Sequence, residues 1–401
     1  MRVKIGVPRE TWPGERRVAL VPDSVKRLVS KGHQVMVEAG AGSEAFVADD
    51  AYRVAGATVV PNFATLVSEV AVLVKVRPPS AEELALLRPG QILVGLLQPL
   101  TNLECVIQLR DQGITSFSLD ALPRITRAQS MDVLSSQATV SGYRAIILGA
   151  QYLPKLFPLL MTAAGTITPA KVLILGAGVA GLQAIATAKR LGAQIQAFDT
   201  RPAVKEQVES LGASFLTLPL EVTGAEAAGG YARKLEADVE EQERALLREP
   251  VAGADVVVST AMVPGARAPQ LISREMVLEM RPGSVILDLA AESGGNCALT
   301  EKGTQVVSSN GVLIDGSTDL PSQVPTHASQ LYGHNMQEFV TLLAQAAMSE
   351  NESGERLWTL DRDEIIQATC ITHDYHVVHS ATLKRITERG GDASAVEPSH
   401  S

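Results

Sequence analysis

Three glycines at Gly176, Gly178 and Gly181 are the residues of this 401-residue chain whose spacing most clearly prescribes chemistry. They follow an apolar run, KVLIL, that ends at Leu175, and they open a helix-patterned stretch that reaches Arg190. A second apolar run, QIQAF, then ends at Asp199. Strand, glycine turn, helix and second strand in this order make a phosphate cradle. The first glycine permits the tight turn, the second lets a pyrophosphate approach the backbone, and the third lets the helix pack on the strand. Unpaired N–H groups around Val179, at the start of the helix, would face the phosphates. The expected ligand is NAD(H). Asp199 can accept both adenosine ribose hydroxyls and would repel a 2′-phosphate, which favours NAD over NADP. Thr200 and Arg201 belong to the same expected site. The plainer alternative makes Asp199 a turn residue or an ion-pair partner of Arg201, and a cation there softens the discrimination.

Other polar groups crowd the stretch from Arg124 to Gln137, where Arg124, Gln129, Asp132 and Ser135 could fix a carboxamide and a ribose. A hinge whose polar side chains only cap the next helix explains them as simply. Gly230 and Tyr231 lie in an Ala/Gly-rich stretch with little core-forming pattern. Val263 and Gly265 follow the run DVVVST, where their backbone could approach a nucleotide or merely turn.

These residues need elements to hold them. Short β-branched runs begin at Val3, Gln34, Ala71, Ile92 and Ile114, with helical stretches between. After a helical segment over 135–161 the alternation restarts, from KVLILG to GVLIDG. The expected fold is α/β, with two Rossmann-like domains of parallel sheet and a cleft between them. The expected boundaries are 1–137, completed by a returning segment 320–385, then 138–319 for the nucleotide-binding domain, and a flexible tail over 386–401.

Composition agrees with a globular protein: 46% of residues are hydrophobic, 20% are charged, and the net charge is -9. An acidic chain is a poor partner for nucleic acid, which needs a basic surface. Three scattered cysteines suggest a reducing compartment, and no stretch reads as an export signal or a bilayer span, so a cytoplasmic location is expected.

The runs PRETWPGERRVALVP, PRITRAQSMDVLSSQATVSGYRA and DLAAESGGNC, together with the glycine loop, resemble the NAD(H)-binding component of proton-translocating transhydrogenases. That family shares its fold with alanine dehydrogenase, and the likeness covers almost the whole chain. It implies direct hydride transfer between NADH here and NADP(H) on a separate partner component, coupled to proton translocation by membrane-spanning subunits. It implies a homodimer held peripherally at the membrane through those partners. It also implies that Arg124 and Ser135 orient the nicotinamide end, that Asp132 binds its ribose, that Gln129 reaches toward the partner's nucleotide, and that Gly230 and Tyr231 belong to a mobile loop closing over NAD(H).

Two other readings compete. Arg17 and Lys75 match the carboxylate clamp and substrate lysine of alanine dehydrogenases. However, Gln98 stands at that family's catalytic histidine position and Glu292 at its aspartate position. An amide cannot shuttle a proton at neutral pH. His33 reads as a surface turn residue. A metal module is suggested by Cys370, His373, His376 and His379, but that segment reads as two short strands around a turn, which scatters the side chains, so no metal is expected. A non-catalytic NAD-binding module shares the glycine loop.

Overall fold

The computed structural model describes residues 2–217, 237–263, 265–346, 349–350, 356–357 and 363–390. The chain divides into two compact units, Met1–Gln137 with Val324–Ser401, and Ala138–Gln323. The first unit carries strands β1 (Lys4–Val7), β2 (Gln34–Glu38), β3 (Thr58–Val60), β4 (Val72–Val74), β5 (Ile92–Gly95) and β6 (Thr115–Ser118). They stand in the order β3-β2-β1-β4-β5-β6, all parallel.

In the second unit a hairpin of β7 (Leu160–Thr162) and β8 (Gly165–Ile167) precedes β9 (Lys171–Leu175), β10 (Gln194–Phe198), β11 (Ser214–Leu216), β12 (Val256–Ser259), β13 (Val285–Asp288), β14 (Gln305–Val307) and β15 (Leu313–Asp315). The sheet order β11-β10-β9-β12-β13-β15-β14 is parallel apart from β14 at the edge. Both units therefore wind outward from a central strand in both directions. This doubly wound arrangement leaves a crevice at the strands' carboxyl ends where the order reverses, beside β1 and β4 in one unit and beside β9 and β12 in the other.

Burial on both faces explains why the strands are continuous apolar runs. In β9, Val172 and Ile174 enter one core with Ala145, Val256 and Val285, while Leu173 and Leu175 enter another with Leu247, Val257 and Ile286. The first unit's core takes in Tyr332, Met336, Phe339 and Leu343 from the Pro325–Ala346 helix, and Phe117 and Phe339 rings meet at 5.8 Å. Beyond a short pair, β16 (Ser349–Glu350) and β17 (Arg356–Leu357), the chain adds β18 (Cys370–His373) and β19 (His376–Val377) to the first sheet, β18 antiparallel to β6. These two are the strands read around the HisAspTyrHis turn, whose Asp374 and Tyr375 both take positive φ.

Three local expectations need correction. The helix expected over 135–161 runs from Val133 to Tyr152. Pro154 and Pro158 follow, and a residue without an N–H that restricts its predecessor stops the helix. The edge strands β3 and β14, three residues each, carry too little pattern to be read from the runs. His33 sits in a turn but is buried, not on the surface, and burial lowers its pKa.

Within the second unit the Val133–Tyr152 helix crosses the Val179–Arg190 helix at Gly142. A Cβ there would lie 2.0 Å from the Ala180 carbonyl oxygen. Gly142→Ala must push the two backbones apart. It is expected to destabilise the fold by about 3 kcal/mol or more, read as a lower midpoint in thermal unfolding. An unchanged midpoint would show that the crossing yields freely.

Candidate nucleotide site

The glycine loop begins where β9 ends. Gly176 has φ +94, a conformation that favours glycine, and its N–H donates to Phe198 O at 2.8 Å, tying the turn to β10. Its α-carbon faces the loop after β12: an added Cβ would lie 2.6 Å from Thr260 Oγ1. Thr260 Oγ1 donates to Gly176 O at 2.9 Å. A Cβ on Gly181 would lie only 1.9 Å from that same carbonyl oxygen, so the helix's first turn rests directly on the loop. Around Gly178, by contrast, an added Cβ would meet nothing within 4 Å. Two glycines are thus required by packing, and the middle one faces open space at the start of the Val179–Arg190 helix, with Val179 exposed beside it. This is the cradle that a pyrophosphate needs, with N–H groups directed outward and no side chain in the way.

Asp199 closes the second strand. Its Oδ2 accepts from Ala177 N at 2.7 Å and from Arg201 Nη2 at 2.9 Å, and its Oδ1 accepts from Arg201 N and Nε, both at 2.9 Å. The ion-pair reading of Asp199 and its place beside the glycine loop are therefore both present. Thr200, half-buried, sits between the two partners. Val263 and Gly265 form a turn in which Ala266 N donates to Val263 O at 3.1 Å and Gly265 has φ +67. Gly230 and Tyr231 lie outside the described residues.

The polar stretch before residue 137 belongs to the first unit. Arg124 and Gln129 are exposed, the latter in the 3-10 segment Thr126–Met131. Asp132 precedes the Val133–Tyr152 helix and accepts from Ser135 N at 2.9 Å and Ser135 Oγ at 2.5 Å. That is helix capping, the plainer reading of these two residues.

Sequence reasoning missed what fills the first unit's crevice. Arg17 donates through Nε and Nη2 to Glu15 at 2.8 and 2.5 Å and through Nη1 to Gln137 Oε1 at 3.0 Å, and Arg77 Nε reaches Glu15 at 3.0 Å. Lys75, fully buried, meets Glu83 at 2.9 Å and Glu10 at 3.4 Å. Burial alone would raise the Glu15 carboxyl, but hydrogen bonds and charge from Arg17 hold it at about 2. Burial pushes Glu10 up, against the charge of Lys75, while for Lys75 the two carboxylates outweigh burial and keep it charged. The only hint in the sequence was a run of acids beside these cations, in PRETWPGERR.

Gln98 takes φ +53, and its N–H donates to Asp120 Oδ2 at 2.9 Å. Burial raises the Asp120 carboxyl. Glu292 is exposed. His373, His376 and His379 each use Nδ1 in a local contact, with Thr115, Asp374 O and Thr382 respectively. His376 is exposed and the other two are half-buried, and among the described residues no group of three or more His, Cys, Asp or Glu could hold a metal. No helix among those residues is long and apolar enough to cross a membrane.

Known proteins carry the same two-part plan. Residues 6–141 match the model of the alanine dehydrogenase/PNT N-terminal domain and residues 145–380 that of the C-terminal domain. The chain is 46% identical over 385 residues to an NAD(P) transhydrogenase subunit alpha chain of Rhodospirillum rubrum, covering 94% of this chain and 98% of that protein. It is 30% identical over 334 residues to alanine dehydrogenase of Bacillus subtilis, covering 80% of each. Among solved structures, a transhydrogenase from Sinorhizobium meliloti superposes with TM-score 0.80 at 40% identity, over 94% of this chain and 99% of that one. With both family models matched in order along nearly its whole length, the chain belongs to the alanine dehydrogenase/PNT family.

Proposed function

We propose that this chain is the NAD(H)-binding component of a proton-translocating transhydrogenase. It would act as a homodimer at the membrane face, with an NADP(H)-binding component and membrane-spanning subunits as its partners. The observation that carries the nucleotide assignment is the open space before Gly178, between two glycines that packing requires and next to Asp199. N–H groups at Gly178 and Val179 take the pyrophosphate, and Asp199 takes the adenosine ribose. The loop with Val263 and Gly265 follows β12, and Thr260 in the same loop already touches the cradle. When bound, NADH supplies the hydride.

Gln98 and the relatives favour transfer between two nucleotides over reduction of an oxo acid. Reducing a carbonyl requires a proton for the new oxygen or nitrogen, and an amide side chain has none to give. Transfer between two nicotinamide rings needs alignment and exclusion of water, with no proton donor. Identity is also higher to the transhydrogenase subunit than to the alanine dehydrogenase. Arg124, Gln129, Asp132 and Ser135 are assigned to orienting the nicotinamide end. Asp132 keeps acceptor capacity for that task, since the two bonds its carboxylate accepts both come from Ser135 and a carboxylate offers about four acceptor positions.

Three outcomes follow. Asp199→Ala is expected to raise the Kd for NADH by about tenfold and to narrow the gap between NADH and NADPH, measured by fluorescence titration. Equal wild-type affinities for the two nucleotides would remove Asp199 from the site. Asp132→Asn keeps a good helix cap while losing the charge, and Arg124→Ala removes an exposed cation. Both are expected to slow hydride exchange with a partner-bound NADP analogue more than they weaken NADH binding. Unaltered exchange would return the stretch to capping alone. Without the partner, the chain is expected to oxidise NADH with neither pyruvate nor pyruvate plus ammonia. Turnover there at dehydrogenase rates would place it on the amino-acid branch of the family.

A further inference from the structure

We propose that Arg201 is a specificity-determining residue. In the free chain its guanidinium occupies the positions on Asp199 that the adenosine ribose must take, and once displaced it attracts a 2′-phosphate. The inference rests on the proposed seating of NAD(H) at the glycine loop.

A carboxylate offers about four acceptor positions. On Asp199 four bonds from this chain already fill them: Ala177 N, Arg201 N, Arg201 Nε and Arg201 Nη2. The two backbone donors are fixed. Ala177 belongs to the loop clamped between Gly176 and Gly181, and Arg201 precedes Pro202, which holds its backbone extended at φ -92 and ψ 114. The two guanidinium donors are exchangeable. The Arg201 side chain is 20% exposed against 7% for Asp199, so the cation has a route to solvent while the carboxylate stays in place.

Two donors can leave, and a ribose brings two hydroxyls. The exchange replaces charge-assisted bonds with neutral ones, so the free chain spends part of its time in a form that cannot accept the ribose. Apparent affinity for NADH is reduced by that fraction. A planar fork that leaves Asp199 remains tethered beside the ribose, where a phosphate on the 2′-oxygen would find a bidentate partner. The same residue therefore weakens NADH binding and relieves the repulsion of NADPH.

The test is titration of the chain alone, without partner, with NADH and NADPH, comparing wild type, Arg201→Ala and Arg201→Lys after thermal unfolding has shown each variant folded. In Arg201→Ala the Kd for NADH is expected to fall and that for NADPH to rise, each by roughly threefold to tenfold. Arg201→Lys keeps the charge without the fork, so it should tighten NADH while holding NADPH near wild type. Weaker NADH binding in Arg201→Ala would overturn the proposal, making Arg201 a support for Asp199. So would unchanged NADPH binding in that variant. A wild-type chain that binds NADPH and not NADH would overturn this proposal together with the nucleotide assignment beneath it, whereas wild-type NADH binding with a failed Arg201 series would sink the proposal alone.

Discussion

The carbonyl of Gly176 and the α-carbon of Gly181 approach so closely that only a hydrogen fits between them, and the second unit is organised around that contact. It fixes where the Val179–Arg190 helix starts. Once the start is fixed, Ala177 N–H points at Asp199, which ties the loop to the end of β10, and Thr260 donates to the Gly176 carbonyl, which ties it to the end of β12. Three strand ends meet on one peptide. The cradle is rigid because its glycines are packed, and it is open because one of them is not.

Both units use the same winding, yet their crevices differ in content. In the second, small residues leave the space beside the switch point clear. In the first, Glu10, Glu15, Arg17, Lys75, Arg77 and Glu83 fill it with their own charges, and the Tyr332 hydroxyl donates to Lys75 O at 2.7 Å beneath them. Topology offers a crevice in both places. Side chains decide whether a dinucleotide can enter it.

The α/β class and the position of the nucleotide crevice were legible because strands buried on both faces are continuous apolar runs, and because the glycine turn has fixed spacing. What the sequence hid falls into two kinds. Three-residue edge strands such as β3 and β14 carry too few residues for a pattern, and whether the His33 turn is covered depends on packing that no local run records. Side-chain pairing is the other kind. The reach of Arg17 to Gln137 spans 120 positions, and that of Arg77 to Glu15 spans 62. Arg201 was close enough in sequence for its pairing with Asp199 to be suspected, but that the pairing fills the whole carboxylate needed coordinates.

The ion cluster also narrows how such a chain can change over generations. Losing one member strands a buried opposite charge at a cost of about 3–5 kcal/mol. That is a large part of a typical stability of about 5–15 kcal/mol. Single-step replacements at Arg17 or Lys75 are therefore closed to a drifting lineage, and only concerted exchange of several members remains open. Cations held this way persist whether or not any ligand uses them. Gln98 has no comparable anchor on its side chain: among the described residues its bonds run through its backbone, to Asp120, Thr101 and Asn102. A descendant could change the chemistry at that position in one step while its charged neighbours stayed unaltered.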